Sequence, residues 1–101
     1  MIEFRQTAAF RDWLAELRDE VAVKAIRRRL ARLQVGLFGD AKAVGGLVHE
    51  LRIDHGPGYR VYFAKRGEQV ILLLCGGDKG DQARDLARAR ALAKAWKDED
   101  R

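Results

Sequence analysis

An α+β fold is predicted by three features of the sequence. The apolar period is helical over the first third of the chain, changes to two over residues 47–63, and returns to helical spacing after residue 81, while the run "VILLLC" between them is apolar on both faces. The arrangement expected is an N-terminal strand and two helices packed on an antiparallel sheet with a C-terminal helix, the helices lying largely on one face. A chain of 101 residues, 48% of them hydrophobic, suits a single domain spanning residues 1–101.

Each element has its own signal. "MIEFR" alternates Ile2 and Phe4 with polar neighbours, as a half-buried strand does. Thr7 can cap a first helix, to about Arg18, in which Phe10, Trp13, Leu14 and Leu17 recur at helical spacing. After "RDE", Val23, Ile26, Leu30 and Leu33 repeat at steps of three and four while Lys24, Arg27, Arg28, Arg29 and Arg32 fill the other positions, so a second helix with a basic outer face is expected to end at Gly36. "LFGDAKAVGG" has no period and is read as a connecting loop. "LVHELRI" and "YRVYFAK" alternate and are joined as a hairpin by "DHGPG". "EQVILLLC" is the expected central strand, covered on both faces. "GGDKGD" then turns the chain, with Asp81 as the cap of a last helix whose Leu86, Ala89, Ala93 and Trp96 form an apolar stripe, and the tail "KDEDR" is too charged to pack.

Composition narrows the function classes. No run is long and apolar enough for a membrane span, and "MIEFRQTAAF" lacks the basic and apolar regions of a signal peptide, so a cytoplasmic location is expected. Cys75 has no partner for an intramolecular disulfide and reads as a buried free thiol. One Cys and two His without ligand spacing do not make a zinc site, and no metal or cofactor is expected. Twenty Lys and Arg against fifteen Asp and Glu give a net charge of +5, which favours an anionic partner, either nucleic acid or an acidic protein segment.

The stretch "IDHGPGYRVYFAKRG" concentrates the candidate chemistry. If Leu51, Ile53, Tyr59, Val61 and Phe63 face the helices, strand alternation sends Arg52, Arg60 and Tyr62 to the opposite side. The turn after the central strand brings Lys79 to the rim of that surface, with the backbone amides of Gly77 and Gly80 as candidate anion donors. Two fixed arginines for phosphate and a tyrosine ring on which a base can stack suit an RNA backbone. Taken singly, Arg52, Lys65 and Lys79 equally fit solvated strand charges, His55 fits a turn residue, His49 fits a satisfied core or edge histidine, and Tyr62 fits a wall of the core. The basic stripe of the second helix is either a solvated face or a docking surface for an acidic partner.

From Leu51 to Trp96 the sequence resembles the core of the RelE/ParE superfamily of bacterial toxins, and more narrowly its HigB-like group, the addiction module killer proteins. "GPGYRVYF" followed by "LLLCGGDKGDQ" carries the resemblance, which extends back to "IEFRQTAAF". It implies a RelE-like fold and the toxin of a type II toxin-antitoxin module, neutralised by a helix-turn-helix antitoxin and able to form a hetero-oligomer with it on operator DNA. RelE-like members cleave mRNA on the ribosome without metal, whereas ParE-like members inhibit DNA gyrase without catalysis, and fold alone does not decide between them. A third reading is a non-toxic module that acts with its antitoxin as a repressor.

Cleavage of RNA through its 2′-hydroxyl needs a base for that hydroxyl, cations for the charge on the phosphorane and an acid for the departing 5′ oxygen. The resemblance makes Arg60 the phosphate-clamping arginine, with Arg52 and Lys79 as the accompanying basic residues, and these three are the catalytic candidates. Tyr62, His55 and Lys65 are the candidates for substrate binding. The base is Lys79, if neighbouring cations lower it from its ordinary value of about 10.4, or His55, which titrates near neutrality unaided. Ribonuclease members carry a Tyr or His near an end of the last helix, and here Asp85 stands near that place.

Overall fold

Thr7 joins the first two elements. Its backbone is still extended, and its hydroxyl accepts from the Phe10 amide, satisfying one of the free donors that open a helix. In the computed structural model, which describes residues 1–99, strand β1 (Glu3–Gln6) precedes that cap and helix α1 (Ala8–Glu16) follows it. Asp19 repeats the device for α2 (Glu20–Gln34), its carboxylate accepting from the Ala22 amide. Gly36, with φ of 87°, then takes the left-handed conformation as its N–H closes on the Leu33 carbonyl.

Four more strands follow: β2 (Ala41–Gly45), β3 (Val48–Ile53), β4 (Tyr59–Arg66) and β5 (Val70–Gly77). A 3₁₀ turn (Lys79–Asp81) leads into α3 (Gln82–Glu99). Asp78 caps that turn, accepting from the Gly80 amide, and Asp81 is the last residue before α3. Residues 97–99 of the charged tail continue α3, and residues 100–101 lie outside the described residues. No helix among the described residues is long and apolar enough to cross a membrane.

The fold is α+β, with a five-stranded mixed sheet in the order β1-β5-β4-β3-β2. The expectation of a wholly antiparallel sheet is corrected at β1, which pairs parallel to β5 with Phe4 opposite Ile71. Hairpins force antiparallel neighbours only where strands are consecutive, and β1 and β5 are separated by most of the chain, which leaves room for a crossover. The reading of residues 37–46 as a loop is also corrected, because Ala41–Gly45 forms an edge strand paired with β3. Its five residues include a bulge between Ala43 and Gly45, and a strand so short and irregular carries no period of two.

The helices occupy both faces, contrary to the single-sided expectation. On one face Phe10, Ile26, Leu30 and Leu33 from α1 and α2 pack on Leu51, Ile53, Val61, Phe63, Ile71 and Leu73, with Trp13, Leu14 and Leu17 at the margin. On the other, Ala89 and Ala93 of α3 pack on Val48, Tyr62, Ala64, Leu72 and Leu74, with Leu86 and Trp96 beside them. The two-sided apolar run in β5 is the reason: Leu72 and Leu74 must be covered as fully as Ile71 and Leu73.

Two consecutive glycines let helix side chains lie directly on the end of β5. A Cβ on Gly76 would fall 2.4 Å from the Trp13 ring on the α1 side, and one on Gly77 would overlap the Asp85 carboxylate on the α3 side. "GG" therefore belongs to the strand as a seat for Trp13 and Asp85.

Candidate functional site

Arg52 on β3 and Arg60 on β4 are register partners, and both point to the α3 side. Side chains opposite one another on paired strands begin only about 5 Å apart, so two guanidinium groups here repel. The charge that reconciles them is Glu50, one row away on the same face of β3. It is 2% exposed, with Oε1 3.0 Å from Arg60 Nε and Oε2 3.4 Å from Arg52 Nε. Gln82, first residue of α3, donates to Oε1 at 3.2 Å, and Lys42 of β2 approaches Oε2 at 4.0 Å.

Arg60 is the most enclosed of the cations, at 9% exposed. Its terminal Nη1 donates to the Gly58 carbonyl at 3.1 Å, while its Nε, close to Glu50 but off the hydrogen-bond axis, has no donor-acceptor partner. Lys79 stands at the rim. A Cβ placed on Gly58 would lie 3.9 Å from Arg60 Nη1 and 4.0 Å from Lys79 Cβ, so the Arg60 guanidinium and the base of the Lys79 side chain flank the same glycine. Arg52 is the open member, its side chain 42% exposed. With its oxygens engaged by Arg60, Arg52 and Gln82, Glu50 acts as a clamp that orients two guanidiniums rather than as a proton acceptor.

The next column of the sheet completes the floor. Arg60 is paired with Gly77, and the Asp85 carboxylate fills the space where a Gly77 side chain would be, beside the Arg60 row. Burial raises the Asp85 carboxyl above its ordinary value, the guanidinium of Arg84 opposes this, and the carboxylates of Asp81 and Asp78 add to the rise. Beneath lie Tyr62 and Cys75. Burial, aided by the Glu50 charge, pushes the Tyr62 phenol up to about 12, and burial pushes the Cys75 thiol up to about 11. Cys75 is thus the buried free thiol expected, with Sγ 3.5 Å from the Asp85 carbonyl.

The six residues singled out from sequence separate into two groups. Arg52, Arg60 and Lys79 are brought together. Tyr62 sits against them but is 1% exposed, its ring inside the α3 core, which corrects its reading as a surface on which a base stacks. Strand alternation alone leaves the second face of the sheet open, and α3 closes it. His55 turns to the other side of the sheet, where Nε2 lies 3.2 Å from Asp19 Oδ2 at the start of α2. The Ala22 amide is the largest influence holding the Asp19 carboxyl below its ordinary value, and His55 contributes. Lys65 is five residues along β4 from Arg60, roughly 17 Å away, with its ammonium 4.4 Å from the Phe38 ring centre. The Gly80 amide, a candidate anion donor, is engaged by Asp78.

Glu50 and Gln82 were not singled out from sequence. Glu50 was legible in part, since "HELRI" places it on the same strand face as Arg52. Its burial was not, because that depends on α3 and on the register between β3 and β4.

Comparison with known proteins adds one relative. No family model matches the chain. An uncharacterized protein of Haemophilus influenzae is 44% identical over 93 residues, covering 92% of this chain and 94% of that one.

Proposed function

The chain belongs to one family with this Haemophilus influenzae protein, and we propose that it is the toxin of a type II toxin-antitoxin module with a RelE-like fold, a cytoplasmic, ribosome-dependent and metal-free mRNA endoribonuclease neutralised by a helix-turn-helix antitoxin. The observation that carries this reading is the guanidinium pair: Arg52 and Arg60 are held by one buried carboxylate on the same sheet face, with Lys79 beside Arg60.

When a 2′-hydroxyl attacks the adjacent phosphate, it gives its proton to water, the 2′-O–P bond forms and negative charge gathers on the equatorial oxygens of the phosphorane before the P–O5′ bond breaks. Donors already fixed in direction stabilise that charge without reorganising, and each is worth about 10²–10³ in rate. Glu50 supplies the fixing. Arg52 and Lys79 present open cations to the backbone, and Arg60 backs them from below. Asp85, which burial keeps protonated to higher pH than an ordinary aspartate, is the proton donor to the departing 5′ oxygen. The ribosome, by positioning the substrate, supplies the orientation that a shallow site lacks.

The test is induction of the protein without its antitoxin, with mRNA 5′ ends mapped soon afterwards. Cuts within translated codons are expected for the wild type, and their loss in a folded Arg60→Ala protein that still binds the antitoxin. An Arg60→Ala protein that is folded and fully toxic sinks the nuclease reading. A gyrase inhibitor is the second reading, favoured by the burial of Arg60 against Glu50, since a non-catalytic protein keeps such a pair for structure alone. Its signature is DNA damage signalling with intact mRNA.

A further inference from the structure

Helix α2 has two kinds of cation. Arg29 is built into the fold: its Nη1 donates to the Arg52 carbonyl at 2.8 Å and its Nη2 to the Phe38 carbonyl at 3.2 Å. Lys24, Arg28 and Arg32 are exposed, and among the described residues their side chains make no hydrogen bond or ion pair. At 3.6 residues per turn they fall on one line of the outer face, opposite the buried Ala22, Ile26, Leu30 and Leu33. The same line begins at Val21, 63% exposed, and ends at Val35, 59% exposed. The result is a basic stripe bracketed by two valines, neither covered by the fold.

At its Val35 end the stripe runs into an open groove of about 990 Å³ between the end of α2, the start of β1 and the β4–β5 turn. Ile2, Val35, Phe38, Val70 and Ile71 line it. Glu3, Lys65 and Glu68 also line it, charges of both signs, with Glu3 already paired with Arg5 at 2.6 Å and Lys65 lying over the Phe38 ring, so the groove lacks the one-sided charge of the α2 stripe and offers apolar walls instead. The basic stripe and the groove with apolar walls therefore lie end to end.

We infer that the α2 stripe and this groove dock an amphipathic helical segment of a partner protein, with acidic residues over Lys24, Arg28 and Arg32 and one or two bulky apolar side chains in the groove. Helix-in-groove recognition uses this combination of spaced charges and a pocketed anchor. Nucleic acid would use the cations but leave the apolar groove empty. A flat anionic membrane meets the stripe but cannot fill a concave groove. A second copy of the chain would set the three cations against three of its own. This surface lies on the opposite side of the sheet from Arg60, so it stands apart from the nuclease reading.

The test uses two fluorescein-labelled peptides of about 18 residues, each with glutamates at helical spacing along one face and two leucines, placed at the N-terminal end in one and the C-terminal end in the other. Fluorescence anisotropy should show one of them binding the full-length protein. Arg28→Glu/Arg32→Glu should weaken that binding about tenfold or more, as should Val35→Asp or replacement of the leucines by serine. Circular dichroism should be unchanged in these variants, because every altered side chain is exposed. The inference is overturned if neither peptide binds, if the α2 variants bind as wild type does, or if a uridine oligonucleotide or phosphatidylglycerol vesicles bind the stripe as tightly as the peptide. Arg60→Ala protein should bind the peptide normally, so loss of the nuclease reading and loss of this one are separate results.

Discussion

The hydroxyl of Tyr62 is buried without a hydrogen-bond partner in the α3 core, close to the charges of Glu50, Arg60 and Asp85. A buried polar atom left unpaired costs about 1–3 kcal/mol, so Tyr62→Phe is expected to be neutral or to stabilise the protein by about 1 kcal/mol in urea unfolding. It should also leave mRNA cleavage intact, because the ring is inaccessible to a base. Asp85 yields a pH test. Its folded carboxyl is raised, so its contribution to stability is full below the unfolded value of 3.8 and is lost as pH rises through the higher folded value. Asp85→Asn removes that loss, and thermal unfolding should show the variant gaining on the wild type as pH increases. If Asp85 donates the proton, wild-type cleavage falls as pH rises through the same value, and the Asn variant is slow with that fall absent. At this scale the sequence showed the residue types, and Arg52, Arg60 and Lys79 were identifiable from alternation and the turn. The roles of Tyr62 and Glu50 were hidden, because both depend on what α3 covers.

Among the elements, the β2–β3 hairpin is the least legible. Gly45 pairs with Val48, leaving Gly46 and Leu47 as a two-residue turn with φ of 60° and 69°. Both central residues in the left-handed region is the type I′ pattern that suits strand twist, and glycine or asparagine normally supplies it. Leucine there is strained by about 1–2 kcal/mol and is 54% exposed, so it gains no compensating burial. Sequence alternation assigned Leu47 to the strand because its position matches the period of "LHLI" at 47, 49, 51 and 53. Arg90 of α3 braces the turn, donating to the Val44 carbonyl at 2.6 Å. Leu47→Gly is expected to stabilise the protein by about 1 kcal/mol, read from the midpoint of denaturant unfolding with unchanged slope. A destabilised variant would mean that Leu47 contributes contacts that outweigh its backbone strain.

Over the whole molecule, one sheet serves two cores, and the buried apolar side chains of β3, β4 and β5 are divided between them. Trp13 borders the first and Trp96 the second. Because β4 and β5 carry both, neither core can open without removing the other's wall, and unfolding should be a single transition. Variants keeping only Trp13 or only Trp96 should report the same midpoint by fluorescence. Leu74→Ala, at a position 0% exposed in the second core, should shift both probes together by about 2–5 kcal/mol. Separate midpoints would show that α3 undocks on its own, which would expose Tyr62 and the Glu50 clamp.

The sequence by itself determined the elements whose signal is local. Periods of 3.6 and two placed α1, α2, α3, β3, β4 and β5, Thr7 marked the first helix start, and "VILLLC" announced a strand covered on both faces. It also determined that Arg52, Arg60 and Tyr62 share one side of the sheet, since alternation is a property of the strand alone. Only the tertiary structure decided that α3 closes that side, that β1 lies parallel to β5, and that Glu50 is buried between two arginines. Those facts depend on contacts between residues far apart in the chain, where a period says which face is apolar but not what will cover it.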